Sequence, residues 1–413
     1  MPPSDATLEP AASLSREALA QRAGVDLAAV DRMVAAGILG PAEGHEPFTQ
    51  GDIYRVRFVS ACERAGMPAE AIGRAIAEDR VSLSFMDLPH YRWSGLAELT
   101  YAELAEQTDL PVELVLEIAR SMGSARRSLA DRVREDELEI FPLIRVASTL
   151  LDRDALVRTA RVYADAIRRI VDAETALFER YVLGAFLREG MSYREAVDLA
   201  NRFGAEWTPL QERLLLAAYR RQQERGWTEF AVEGIEGVLE AMGVYERPER
   251  PPAFAFVDLA GFTALTEEHG DAASARLASE LARMVDTVAV DAGGQPVKWL
   301  GDGVMVHFRD PAAAVEATLA MVERAPEVGL PAHAGIAAGP VVVQDGDYFG
   351  RTVNLAARIS AVADEGRTLV NGAVVDVAAP RGFGFREMGA VELKGFAEPV
   401  ALFEALGPER RSG

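Results

Sequence analysis

Several residue types are scarce in this chain, and each shortage removes a class of explanation. The 413 residues include one cysteine, Cys62, so no internal disulfide can form and a reducing, cytoplasmic setting is expected. Cys62 itself is read as a small buried apolar residue. No stretch reaches the ~20 uninterrupted apolar residues of a membrane span. The opening MPPSDATLEP lacks the basic-then-apolar order of a secretory signal. Lysine occurs only as Lys298 and Lys394, every other base being arginine. Of five histidines, His45 and His90 fall in the first half and can titrate near neutrality. Acid is what the chain has in excess. With 64 Asp and Glu against 43 Lys and Arg, the formal charge is −21, which repels nucleic acid and anionic membrane at long range.

A chain of this length holds two or three domains. The clearest boundary is the linker at residues 244–252, VYERPERPP, where three prolines and alternating charge follow Gly243. Residues 1–243 read as all-helical; residues 253–413 alternate strand and helix, so the fold class expected is α+β. Near the start, LSREALAQRAGVDLAAVDRMVAAGIL has the pattern of a helix-turn-helix, with Ser15 as a cap, Gly24 as the turn and Gly37 as the stop. A weaker echo, LTYAELAEQTDLPVELVLEIARSMG, repeats Ser15, Leu19, Ala20, Val25 and Val30 as Thr100, Leu104, Ala105, Leu110 and Val115. The first copy, residues 14–75, resembles the helix-turn-helix module of MerR-like regulators. A recognition helix needs bases, yet residues 27–36 offer only Arg32, and Asp26 and Asp31 lie beside it. A packing module is therefore expected, with no nucleic-acid partner.

Further along, Leu156, Tyr163, Ile167, Ile170 and Leu177 are spaced 7, 4, 3 and 7, a heptad-like stripe. It suits an intrachain helix pair or a dimer seam equally. A helix is expected over 208–226, opened by Thr208, Pro209 and Gln211 as a capping box. Another, over 228–242, leads into the linker as the natural mechanical connection. The second segment reads strand (253–257), helix (271–292), hairpin (296–308), helix (311–325), strand (332–343) and helix (353–363), then short strands. That order is the ferredoxin-like βαββαβ motif with additions.

Four stretches carry chemistry. FAFVDLAGFT puts Asp258 at the exposed end of an apolar strand. VKWLGDGVMVHF puts Asp302 at a glycine-flanked hairpin tip, with Lys298 in the same hairpin. Two carboxylates at strand ends, together with substrate phosphates, make a magnesium site, because Mg²⁺ takes oxygen ligands and few protein anchors. DYFGRTVNLAARIS contains Asp347, then Asn354 and Arg358 on one helical face. VELKGFAEPVALFEAL holds Lys394.

Taken together, these stretches resemble the class III adenylate and guanylate cyclases over residues 251–406. The resemblance implies two Mg²⁺ or Mn²⁺ ions held by Asp258, Asp302 and the neighbouring Leu259. It implies that Asn354 orients the ribose, that Arg358 neutralises phosphoryl charge, and that Lys394 meets the outer phosphates. It also implies a homodimer with composite sites, in which the metal aspartates come from one protomer and the other residues from its partner. Base choice follows from hydrogen bonding. Adenine presents an acceptor at N1 and a donor amine at C6, matching Lys298 as donor and Asp347 as acceptor, so ATP is expected over GTP. The layout as a whole resembles the mycobacterial acid-activated adenylate cyclases, which implies a helical region that inhibits the catalytic domain at neutral pH; a lipid or other apolar ligand of that region is the alternative control. A non-enzymatic nucleotide sensor and a DNA-binding regulator are the competing expectations.

Overall fold

The computed structural model describes residues 14–40, 48–87, 94–123, 128–246 and 250–408. His45 and His90 lie outside the described residues, as does part of the linker. The chain divides into two compact units, Met1–Val232 and Glu233–Gly413.

The first unit opens with helices α1 (Arg16–Ala23), α2 (Leu27–Ala35), α3 (Gln50–Arg64) and α4 (Ala69–Ala77). Ser15 caps α1 by accepting the Ala18 N–H at 3.1 Å, and Gly24, at φ 72°, ends it. The echo has the same construction. Strand β1 (Leu96–Thr100) leads into α5 (Tyr101–Thr108) and α6 (Val112–Ser121). Thr100 and Glu103 form a reciprocal capping box at the start of α5. Leu19, Ala20 and Val30 in one copy, and Leu104, Ala105, Leu110 and Val115 in the other, are core residues of two separate apolar clusters. Each helix pair thus buries its own face. On α2, Arg32 is paired with Glu63 and Asp31 with Arg16.

One departure from an all-helical region is a small sheet, in which β1 pairs antiparallel with β2 (Arg132–Arg134). The pairing brings Glu135 beside Gly95, whose N–H it accepts at 3.0 Å, and beside Arg22 of α1. This bond network is what the strands secure, and it links the two helix pairs.

Helix α7 (Ile140–Ala147) and α8 (Arg153–Leu177) follow, then a π-helical turn into α9 (Gly184–Arg188) and the 49-residue α10 (Tyr193–Ala241). The helix start expected at Thr208 and the stop at Gly226 are both absent. Pro209 lies inside α10. A proline and a glycine impose local costs of about 3 and 1 kcal/mol, which this continuous helix carries. Thr228 does not cap a new helix; its hydroxyl donates back to the Glu224 carbonyl at 2.8 Å. The heptad-like stripe is divided. Leu156 is buried within the chain, whereas Tyr163, Ile167 and Leu177 are exposed. Tyr163 meets Tyr219 of α10, a hydrogen bond that pushes its phenol pKa up. Among the described residues no helix is long and apolar enough to cross a membrane.

The second unit is built on β3 (Ala253–Leu259), α11 (Phe262–His269), α12 (Asp271–Asp291), β4 (Gln295–Trp299), β5 (Gly303–Phe308), α13 (Pro311–Val328) and β6 (Ala332–Ala338). Then come β7 (Val342–Gln344), β8 (Asp347–Phe349), α14 (Arg351–Ser360), β9 (Thr368–Asn371), α15 (Gly372–Ala378), β10 (Phe383–Val391) and β11 (Val400–Pro408). The expected βαββαβ core is β3, α12, β4, β5, α13 and β6, within a mixed sheet of order β10-β11-β9-β6-β3-β5-β4. The strand expected over 332–343 ends at Ala338. Pro340 offers no N–H to a ladder, and the chain turns into the separate β7–β8 hairpin.

Alternation along β3 decides what faces where. Ala253, Ala255, Val257 and Leu259 enter the cluster formed with α12, α13 and α15. Phe254 and Phe256 enter the opposite cluster, formed with Leu355 and Ile359 of α14. Helix α14 comes close to β6 because Gly335 has no side chain. A Cβ there would lie 2.1 Å from the Ser360 nitrogen and 2.6 Å from the Ala356 oxygen.

Candidate active site

Asp258 is the sixth residue of β3 and stands opposite Gly303 of β5 and His333 of β6 in the antiparallel register. The Leu259 N–H donates to the Asp302 carbonyl at 3.0 Å, which pins the β4–β5 turn against the end of β3. Gly303 leaves room for the Asp258 carboxylate, since a Cβ there would lie 2.8 Å from Asp258 Oδ1. Burial pushes the Asp258 carboxyl above its usual range, and the Asp302 charge pushes it further; the His333 imidazole and a backbone N–H at Leu259 act the other way. Two neighbouring acids that repel one another suit a divalent cation, which would relieve that repulsion. Among the described residues no third Asp, Glu, His or Cys completes a cluster with them. Mg²⁺ retains waters and phosphate oxygens as ligands, so two carboxylates are sufficient anchors. The Leu259 side chain is buried in the core, so only its main chain can face an ion. His333 was not singled out from sequence. Its place beside Asp258 depends on strand register, and its Nδ1 is buried with no hydrogen-bond partner.

Lys298 and Asp347 are far apart in sequence and meet in the fold. The ammonium of Lys298 on β4 lies 3.5 Å from Asp347 Oδ2 at the start of β8. A donor and an acceptor therefore stand side by side. An aromatic cluster anchors the hairpin that carries Asp347. The Tyr348 ring stacks on His307 at 4.8 Å and meets Phe254 edge-on at 5.0 Å. Neither Tyr348 nor His307 shows a motif-like signal; the pairing of β5 with β3 sets His307 opposite Phe254, and the β7–β8 hairpin brings Tyr348 to both rings.

Asn354 and Arg358 lie on α14, four residues apart. With Lys394, Gly350, Arg351 and Phe396 they line a cleft of about 850 Å³. The Thr352 hydroxyl donates to the Pro340 carbonyl at 2.7 Å, fixing the first turn of the helix. Asp258, Asp302, Lys298 and Asp347 are not in that lining. One chain thus presents a carboxylate pair, a Lys–Asp pair, and a basic cleft that excludes both. Arg351 is a further basic residue in the cleft that sequence reasoning passed over. Its spacing of three from Asn354 is the signal that could have found it.

Residues 244–404 match the family model of the adenylate and guanylate cyclase catalytic domain. An uncharacterized protein of Mycobacterium tuberculosis is 27% identical over 388 residues, spanning 91% of this chain and 93% of its own length. A pH-sensitive adenylate cyclase of the same species is 29% identical over 328 residues, 75% of this chain and 79% of that protein. An adenylate cyclase of Streptomyces coelicolor is 29% identical over 281 residues, 66% of this chain and 70% of that protein. Among solved structures, the adenylyl cyclase CyaB from P. aeruginosa aligns with 26% identity and a TM-score of 0.36, over 40% of this chain and 97% of that one.

Proposed function

We propose that this chain, whose residues 244–404 match the adenylate and guanylate cyclase catalytic domain, is a cytoplasmic class III adenylate cyclase that converts ATP to 3′,5′-cyclic AMP and pyrophosphate. The observation that carries the reading is the Asp258–Asp302 pair, held at one sheet end by the Leu259 to Asp302 main-chain bond. These carboxylates, with the Leu259 main chain, would hold two Mg²⁺ or Mn²⁺ ions. When bound, such ions lower the pKa of the ribose 3′-hydroxyl and offset triphosphate charge.

The other residues bind and orient. Lys298 donates to adenine N1, and Asp347 accepts from the 6-amino group. Guanine reverses both demands, leaving the pair mismatched. Asn354 fixes the ribose so that its 3′-oxygen lies in line with the α-phosphorus. Arg358 donates to the α-phosphoryl oxygens as charge builds on them. The O3′–P bond forms while the bond from that phosphorus to the bridging oxygen breaks. Pyrophosphate leaves with the electron pair, and the 3′-hydroxyl proton is released.

Neither carboxylate lines the cleft of Asn354 and Arg358. A second copy of the chain supplies the complementary half in a symmetric homodimer with two composite sites. Residues 1–243 form the regulatory region, domain 253–413 does the chemistry, and protons or a lipid acting on the helical region are the proposed control. Comparing full chain and residues 250–413 between pH 5.5 and 8 tests that control; identical profiles remove it.

The primary test incubates the full chain with ATP or GTP and Mn²⁺ or Mg²⁺ and separates the products. Cyclic AMP and pyrophosphate in equal amounts are expected, with GTP a poor substrate. Nucleotide binding without any cyclic product would make the chain a sensor, and a preference for GTP would overturn the roles of Lys298 and Asp347.

A further inference from the structure

The cleft at the start of α14 holds a third base, Arg351, besides Arg358 and Lys394. We propose, on the basis of the adenylate cyclase reading of the same site, that Arg351 binds the outer phosphates of the nucleotide and the departing pyrophosphate, beside Lys394.

Arg351, Asn354 and Arg358 recur at intervals of three and four, so they share one helical face. All three line the cleft together with Lys394. The charge of that lining runs against the rest of the molecule. Arg351, Arg358 and Lys394 face a single carboxylate, Glu398, in a chain whose formal charge is −21. Several bases elsewhere are matched by acids, as Arg153 is by Glu117, Arg386 by Glu404 and Arg381 by Asp310. Among the described residues, no carboxylate pairs with Arg351, Arg358 or Lys394. Three bases gathered in one cleft with a single carboxylate make a site suited to an anion from outside the chain.

Two features make Arg351 more than a solvated surface base. Its guanidinium lies 5.2 Å from the centroid of the Phe396 ring. Stacking occupies the face of the guanidinium and leaves its N–H edge available for two parallel bonds to phosphate oxygens. Arg351 is also the first residue of α14, where the positive end of the helix dipole disfavours a cation. An anion bound there relieves both charges at once. The rise of ~1.5 Å per residue separates Arg351 from Arg358 by about 10 Å along the axis. Side chains rooted that far apart on one helical face can reach opposite ends of a polyphosphate. With Arg358 at the α-phosphoryl group, Arg351 falls to the β- and γ-phosphates.

The experiment uses Arg351→Gln in the full chain. Calorimetric titration without divalent metal measures the affinity for pyrophosphate and for AMP, and steady-state kinetics give KM and kcat for ATP. The variant should bind pyrophosphate roughly 10-fold more weakly, hold AMP as before, and raise KM for ATP more than it lowers kcat. Phe396→Leu should move the same quantities in the same direction by less. Unchanged pyrophosphate affinity in Arg351→Gln overturns the proposal. So does equal weakening of AMP and pyrophosphate, because that is loss of shape and not of a phosphate contact. If the wild-type chain makes no cyclic product but Arg351→Gln still loses pyrophosphate selectively, the phosphate site stands and the cyclase reading falls.

Discussion

Gly335→Ala is a one-methyl test of how α14 is placed. The added Cβ would sit 2.1 Å from the Ser360 nitrogen and 2.6 Å from the Ala356 oxygen, and ordinary Cβ contacts begin near 3.4 Å. The shorter contact must open by the difference, 3.4 minus 2.1, or about 1.3 Å. Both clashing atoms are main chain of α14, so no side-chain rotamer change can absorb the shift; the helix itself must retreat from β6. Asn354 and Arg358 move with it. A misplacement of ~1 Å in groups that position a reacting centre costs on the order of 10²-fold in rate, and overpacking costs about 1–3 kcal/mol of stability. Cyclic AMP formation by Gly335→Ala should therefore fall about 10²-fold in kcat/KM while circular dichroism stays native. Gly407→Ala, where nothing lies within 4 Å of the new Cβ, should match wild type in both. Wild-type kcat/KM in a folded Gly335→Ala chain would refute the claim that the Gly335 contact sets the position of the catalytic helix.

Other perturbations have equally definite outcomes. Lys298→Glu replaces the proposed donor to adenine N1 with an acceptor, so activity on ATP should drop at least ~10-fold relative to GTP; an unchanged ATP/GTP ratio removes Lys298 from base recognition. Burial and Asp302 hold the Asp258 carboxyl above its ordinary range, so its ionisation opposes folding. That contribution to stability is fully present below the unfolded pKa of ~3.9 and is lost as pH rises through the higher folded pKa. At pH 7 without divalent ions, Asp258→Asn should melt above wild type, and Mn²⁺ should raise the melting temperature of wild type alone; a lower melting point for the variant contradicts this. In the first unit, the buried Tyr101 hydroxyl donates to the buried Glu137 carboxylate at 2.5 Å. Tyr101→Phe leaves that carboxylate short of a donor and should cost about 1–3 kcal/mol in urea unfolding, with wild-type cyclase kinetics in the folded protein.

What could be read from sequence was local or carried by fixed spacing. The capped starts of α1 and α5, the apolar run of β3, the glycine-flanked turn at Asp302 and the helical face of Asn354 and Arg358 each lie within a short window. The βαββαβ order followed from changes of period alone. What could not be read depends on distant partners. Pro209 and Gly226 look like punctuation, yet α10 continues through both, because their penalties are local and the helix is long. Pro340 was read inside a strand that in fact stops at Ala338 and gives way to the β7–β8 hairpin. His333 reaches Asp258, and His307 reaches Phe254, only through the register of β3, β5 and β6, and Tyr348 joins those rings only from the separate β7–β8 hairpin. Arg351 had the right spacing but no chemical context until Lys394 and Phe396 folded against the same cleft.

Each site, in this account, takes its acidic half from one chain and its basic half from another. The most direct measurement mixes an Asp258→Ala chain with an Arg358→Ala chain, each inactive alone, and assays cyclic AMP once heterodimers are demonstrated. Recovered synthesis is expected, since one of the two composite sites then holds both an intact carboxylate pair and an intact Arg358. Proven heterodimers that stay silent would contradict it.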